Sequence, residues 1–172
     1  ITGATGAALC EMVCVHTTGV ADDPSASDES RGDSGGTSMS ALRTGLRRHR
    51  KKLLALGGRD AAVVEELFGD GEAPSTRIRR RAAGIPLAVA EAAVAVLTDA
   101  ETAHRGGTPG VAADARTGAY LADAAVRASV ETVRINAAAL PDRPFAADLE
   151  DRARAVEESA DPVRRLLLGR EN

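Results

Sequence analysis

From Ala115 to Leu140 the chain runs through one long helical pattern that stops only at Pro141. At ~1.5 Å per residue this predicts a helix roughly 40 Å long. In a chain of 172 residues such a rod spans the full height of the fold, and its neighbours must be long too. Residues 1–17, "ITGATGAALCEMVCVHT", are apolar on most sides and predict a buried helix, with Gly3 and Gly6 where another backbone approaches. "SMSALRTGLRRHRKKLLAL" predicts a helix capped by Ser38 or Ser40. Its leucines, Leu42 to Leu56, lie on or near one side with a basic face opposite. Gly57 and Gly58 predict an interruption before "RDAAVVEELF" resumes the pattern to Phe68. "TRIRRRAAG" reads as a short helix, and Pro86 as the first turn of a separate one that Gly106 and Gly107 end. "PDRPFAADLEDRARAVEESA" predicts a last amphipathic helix, with "DPVRRLLLG" as a capped tail. Residues 19–37, rich in Gly, Ser, Asp and Pro, predict an exposed mobile loop.

Aromatic residues make up 2% of the chain and tryptophan is absent, so the core must be Ala, Val, Leu and Ile. Small side chains let helix axes approach closely. Alternating β-branched runs and Asn-Gly turns are missing. The expectation is an all-α, up-and-down bundle of long antiparallel helices, one domain over residues 1–172, and 44% hydrophobic content can fill its core.

Charge and cysteine usage narrow the function. A net charge of −3 gives no general cationic field, so no nucleic-acid partner is expected. Arg47–Lys52 and Arg77–Arg81 are local positive clusters, read as solvated helix faces or as docks for a small polyanion. Cys10 and Cys14 share a helical face without a third ligand, because His16 points elsewhere; core packing and no metal are expected. Two cysteines without a signal peptide point to a reducing cytoplasm. No apolar run reads as long enough for a bilayer, so no membrane partner is expected. Asp60, behind Gly57, Gly58 and Arg59, and Asp114, before the long helix, each read either as a local cap or as a reactive carboxylate.

Several segments together resemble the cyclodeaminase/cyclohydrolase family of folate enzymes. "GAALCEMVCVHT" is similar to that family's first core helix, "LLALGGRDAAVVEELF" to its Leu-rich run leading to Asp-Ala, and "GIPLAVAEAAVAVL" to its Val-Pro-Leu helix. "GGTPGVAADARTGAYLADAAVRASVETVRIN" resembles its Asn-containing Ser-Asp loop and the helix ending in Val-Arg-Ile-Asn, here Val133 to Asn136. The likeness spans nearly the whole chain in order. It departs where Thr108 and Gly110 replace two asparagines, Ala113 replaces the serine, and "TGVADDPS" replaces a lysine-rich stretch. The family's Pro-Gly-Gly-Gly-Ser loop would fall before Ile1.

The resemblance implies a tetrahydrofolate derivative as substrate, no permanently bound cofactor, and a homodimer. It implies hydrolysis of 5,10-methenyltetrahydrofolate, or ring closure of the formimino form with loss of ammonia. Hydrolysis is the expectation, because no formiminotransferase segment precedes the domain in the chain; a silent folate-binding or interaction bundle is the other alternative. Asp114 and then Asp60 are the candidate catalytic carboxylates, able to stabilise the methenyl cation and take a proton from water. Asn136 suits the amide-like edge of a pterin. Arg134 is either a ligand contact or a structural ion pair. Arg47 and Arg48, with Arg50, would receive a glutamate tail.

Overall fold

The computed structural model describes residues 1–21, 35–69, 71 and 73–169. They form helices α1 (Thr2–Ala21), α2 (Gly35–Phe68), α3 (Thr76–Gly106), α4 (Ala112–Ala138) and α5 (Arg143–Leu168), with one 3-10 turn at Pro109–Val111. There is no strand among the described residues. The all-α bundle expected from the sequence is therefore what forms.

Helices α3 and α4 share the most extensive contact; α1 lies against α4 and α2, and α5 against α4 and α3. The core is alanine, valine and leucine throughout, with Leu46, Leu87, Leu97 and Leu149 its largest fully buried side chains. Helices α1 and α4 run antiparallel and approach backbone to backbone at two glycines. A Cβ on Gly6 would stand 2.7 Å from the Gly118 carbonyl oxygen, and one on Gly118 would stand 2.5 Å from Cys10 Sγ. Neither position admits a side chain without moving backbone. Gly3 packs beside Ala125, which fixes the register of the two helices, and Gly107, which closes α3, packs beside Val13 of α1.

Several sequence expectations are corrected. Gly57 and Gly58 do not interrupt α2. Both are exposed with open space where a Cβ would stand, while Leu53, Leu56 and Val63 of the same helix stay buried. Each glycine costs about 1 kcal/mol of helix propensity, and burial of those three side chains outweighs it. Pro86 sits inside α3 rather than at the start of a new helix, and Pro162 sits inside α5, so the expected tail is its last turns. Helix α1 extends to Ala21 and α2 begins at Gly35, ahead of Ser38 and Ser40; the rest of the expected 19–37 loop lies outside the described residues. Finally, α3 does contain an apolar stretch long enough to cross a membrane by length and composition, but half of that stretch is buried inside the bundle. It is a core helix covered by all four others.

Candidate active site

Asp60 is an exposed residue of α2, just past the two glycines and on the side of the helix that carries buried Leu56 and Val63. It lines a cleft of about 250 Å³ where the start of α1 meets α2, α3 and α4. Leu53, Pro86 and Val89 give this cleft apolar walls, and Ser129 and Thr132 on α4 supply hydroxyls. The Thr132 hydroxyl already donates to the Ala128 carbonyl at 2.9 Å, so towards a ligand it offers lone pairs. Among the described residues no salt bridge engages Asp60. The cleft thus combines one free carboxylate, two hydroxyls and an apolar wall, which suits a flat, partly apolar ring carrying positive charge.

Asp114 is elsewhere. It lies in the first turn of α4, half-buried, while the cap position is Val111 and makes no side-chain capping bond. The expected capping bond from Asp114 does not form; a carboxylate in the first turn still favours the helix dipole. From Asp114 to Ser129 is fifteen residues of continuous helix, so the two carboxylates are separated by roughly 20 Å along α4. Within one chain they do not share a cleft.

Asn136 and Arg134 are engaged in packing. Proline has no N–H, so Pro86 leaves the Ala82 carbonyl, four residues back, without its helical donor. Asn136 Nδ2 donates to that oxygen at 2.8 Å, and in doing so ties α4 to α3. Arg134 pairs across to Glu157 on α5 and lies 3.8 Å from Glu131. Of the two readings of Arg134, the structural ion pair is the one formed.

Arg47 and Arg50 are likewise committed. Their Nε atoms donate to the two oxygens of Glu11, at 3.1 and 3.2 Å. Glu11 is buried and is the one carboxylate in α1. That isolation was the available signal: a lone charge on an apolar helix requires a partner. Arg48 remains exposed and outside this clamp.

Other polar groups escaped the sequence reading. Asp123, also buried, accepts from Arg127 and Arg164 and fastens α5 to α4. Burial pushes the Asp99 carboxyl upward, opposed by His49, whose Nε2 is 3.7 Å away. Burial first, then neighbouring Cys14 and Asp99, drive the Cys10 thiol up to about 12; burial and Asp99 drive Cys14 up to about 11. Both thiols are core groups. A second, larger cleft of about 630 Å³ opens between the end of α3, the start of α4 and the end of α5. Its buried carboxylate, Glu101, is held by Arg105 at 2.8 Å, and the His104 ring is held by the Ala112 carbonyl at 3.2 Å.

The family model for formiminotransferase-cyclodeaminase matches residues 1–155. The chain belongs to this family. Its members are enzymes of folate one-carbon chemistry, and Asp60, Asn136 and Asp114 all fall inside the matched region. No curated protein matches the chain. A crystal structure of formiminotetrahydrofolate cyclodeaminase from Thermotoga maritima matches with a TM-score of 0.70, over 98% of this chain and 87% of that one. At 20% identity this is a likeness of fold.

Proposed function

We propose that this family member hydrolyses 5,10-methenyltetrahydrofolate to the 10-formyl form, and that the Asp60 cleft is where it does so. The observation that carries the reading is the free carboxylate of Asp60 within an apolar-walled cleft. The methenyl bridge is a cation, which such a carboxylate stabilises. Water adds to the bridge carbon as Asp60 takes its proton. The tetrahedral carbon then collapses: the C–N5 bond breaks, the hydroxyl oxygen becomes the formyl oxygen, and N5 leaves protonated. One proton is released per turnover. Ser129 and Thr132 are suited to the polar edge of the pterin, and Leu53, Pro86 and Val89 to its faces. Asn136 has its role in packing, so it is not part of this constellation.

Arg48, with Lys52 one turn further along the exposed side of α2, is the proposed dock for the glutamate tail. Neutralising Arg47 or Arg50 instead would strip Glu11 of its partners and confuse binding with folding. The proposed assembly is a homodimer working in the cytoplasm without a resident metal or cofactor.

Ring closure of formiminotetrahydrofolate is the second reading, favoured by the family description and by the related fold. Attack of N10 on the formimino carbon expels ammonia, and a departing ammonia needs an acid beside it. The cleft presents one carboxylate and hydroxyls, which fits water activation better. The test is direct: follow loss of the methenyl absorbance and, separately, ammonia release from the formimino form. Faster methenyl loss supports hydrolysis. Faster ammonia release replaces it with the cyclodeaminase, and inactivity on both leaves a silent binding bundle.

A further inference from the structure

Three carboxylates are buried among the described residues, and folding treats one of them differently. Glu11 is clamped by Arg47 and Arg50 of α2, one guanidinium to each oxygen. Asp123 takes Arg127 and Arg164, again one to each oxygen. Glu101 has a single guanidinium, Arg105, four residues along the same helix and with its side chain 70% exposed. Arg105 Nη2 donates to Oε2 at 2.8 Å. Its Nε lies 2.6 Å from Oε1 with the N–H directed elsewhere, so Oε1 accepts no hydrogen bond. A buried carboxylate oxygen without a donor carries a desolvation cost that the other two sites avoid. Glu101 is also the one of the three that lines the larger cleft.

The other lining groups complement it. His104 Nδ1 faces the Ala112 carbonyl at 3.2 Å. A carbonyl only accepts, so Nδ1 carries the hydrogen and the neutral ring keeps Nε2 as a second acceptor. Arg116, in the second turn of α4, is exposed and engaged by no carboxylate among the described residues. Leu166, 67% exposed, and buried Leu167 give the cleft an apolar side. We propose that this cleft binds a free aliphatic α-amino acid, with its ammonium on Glu101 Oε1 and its carboxylate on Arg116.

Charge selects a zwitterion. A simple anion would have to lie beside the Glu101 carboxylate, and a simple cation beside Arg105 and Arg116. A ligand carrying both signs sets each against its opposite. The orphaned oxygen needs an N–H, which a primary ammonium has and a fully methylated one lacks. Arg105, largely in solvent, can turn from Oε1 as the ammonium arrives and still hold Oε2. The two leucines then receive the aliphatic side chain. The volume of about 630 Å³ lies within the roughly 300–1,000 Å³ of ligand clefts. Arg116 and Ser129 are thirteen residues apart on α4, roughly 20 Å, so this site is separate from the Asp60 cleft. It stands whether or not that cleft hydrolyses a folate.

The probe is L-leucine, with two controls that each lack one charge: 4-methylpentanoate, without the amine, and 3-methylbutylamine, without the carboxylate. Calorimetric titration of the full chain is expected to show leucine binding about tenfold or more tighter than either control, the worth of one charge-assisted bond. Amide resonances should shift at Glu101, His104, Arg116 and Leu167 and stay in place at Asp60. Arg116→Gln should weaken leucine about tenfold or more with helical content unchanged, because Arg116 is exposed and holds no other element. Glu101→Gln should bring the affinities of leucine and 4-methylpentanoate together; if that variant does not fold, Arg116→Gln and the two controls decide alone. Equal binding of 4-methylpentanoate by the wild type would mean a plain anion site, and equal binding of the amine a plain cation site. Either result overturns the proposal, as does the absence of leucine binding or an unchanged leucine affinity in Arg116→Gln.

Discussion

Pro86 borders two regions that treat polar groups in opposite ways. On one side Asn136 reaches across to the Ala82 carbonyl that the proline has orphaned, and a defect inside α3 becomes a tie between helices. On the other side lies the Asp60 cleft, where a carboxylate and two hydroxyls stand around open volume. In the sequence both residues have the same standing, polar groups inside a motif. What separates them is whether folding has already used their hydrogen-bonding capacity. A satisfied group holds the scaffold, and an unsatisfied one at a cleft is available to a ligand.

The largest expected effect falls on the open side. Asp60→Asn should lower methenyl hydrolysis about a hundredfold or more with helical content unchanged, whereas Asn136→Ala should leave the rate per folded molecule intact. Single-turnover rates beside circular dichroism check both. Next comes the clasp: Asn136→Ala is expected to cost about 1–3 kcal/mol by leaving the Ala82 oxygen unpaired. In a Pro86→Ala background the restored N–H makes that cost disappear, and urea unfolding of the four variants measures the coupling. Equal cost in both backgrounds would break the comparison.

A smaller effect is expected at the α1–α2 clamp. Glu11→Gln should destabilise by about 1–2 kcal/mol, kept low because Arg47 is half exposed to solvent; chemical denaturation at fixed salt reads it. The smallest concerns acid. The Phe145 amide, and after it Arg80, hold the Asp142 carboxyl below its ordinary value of 3.8. A carboxyl lowered by folding contributes stability above the ordinary value and loses it as pH falls through the folded one. Melting temperatures of Asp142→Asn and wild type should therefore differ at neutral pH and converge below about pH 4.

The architecture was legible because its signals are local and repeated. A core of small aliphatic residues, the absence of strand patterning and one very long helix leave little but a bundle. The punctuation misled for a physical reason. Gly57, Gly58 and Pro86 carry local penalties, and what offsets them is tertiary: leucines of α2 buried against other helices, and an asparagine fifty residues further along. The same distance hid the clamp on Glu11, since Arg47 and Arg50 look like a free basic face until α1 is laid beside them. Asp60 was only the second candidate carboxylate, after Asp114, and its place in a cleft depends on how α1, α3 and α4 pack against α2. Asp114 was read as the cap before the long helix, whereas it lies within the first turn of α4, and its separation from Asp60 is a matter of register between α1 and α4, which Gly6 and Gly118 set by backbone contact and no motif announces.

The most direct test asks where a folate sits, apart from whether it reacts. Amide resonances recorded while a chemically stable reduced folate is titrated in would locate it. The shifts should cluster at Gly3, Leu53, Gly57, Asp60, Val89 and Ser129, around the Asp60 cleft. Shifts gathered instead at Glu101, His104, Arg116 and Leu167, around the second cleft, would contradict it.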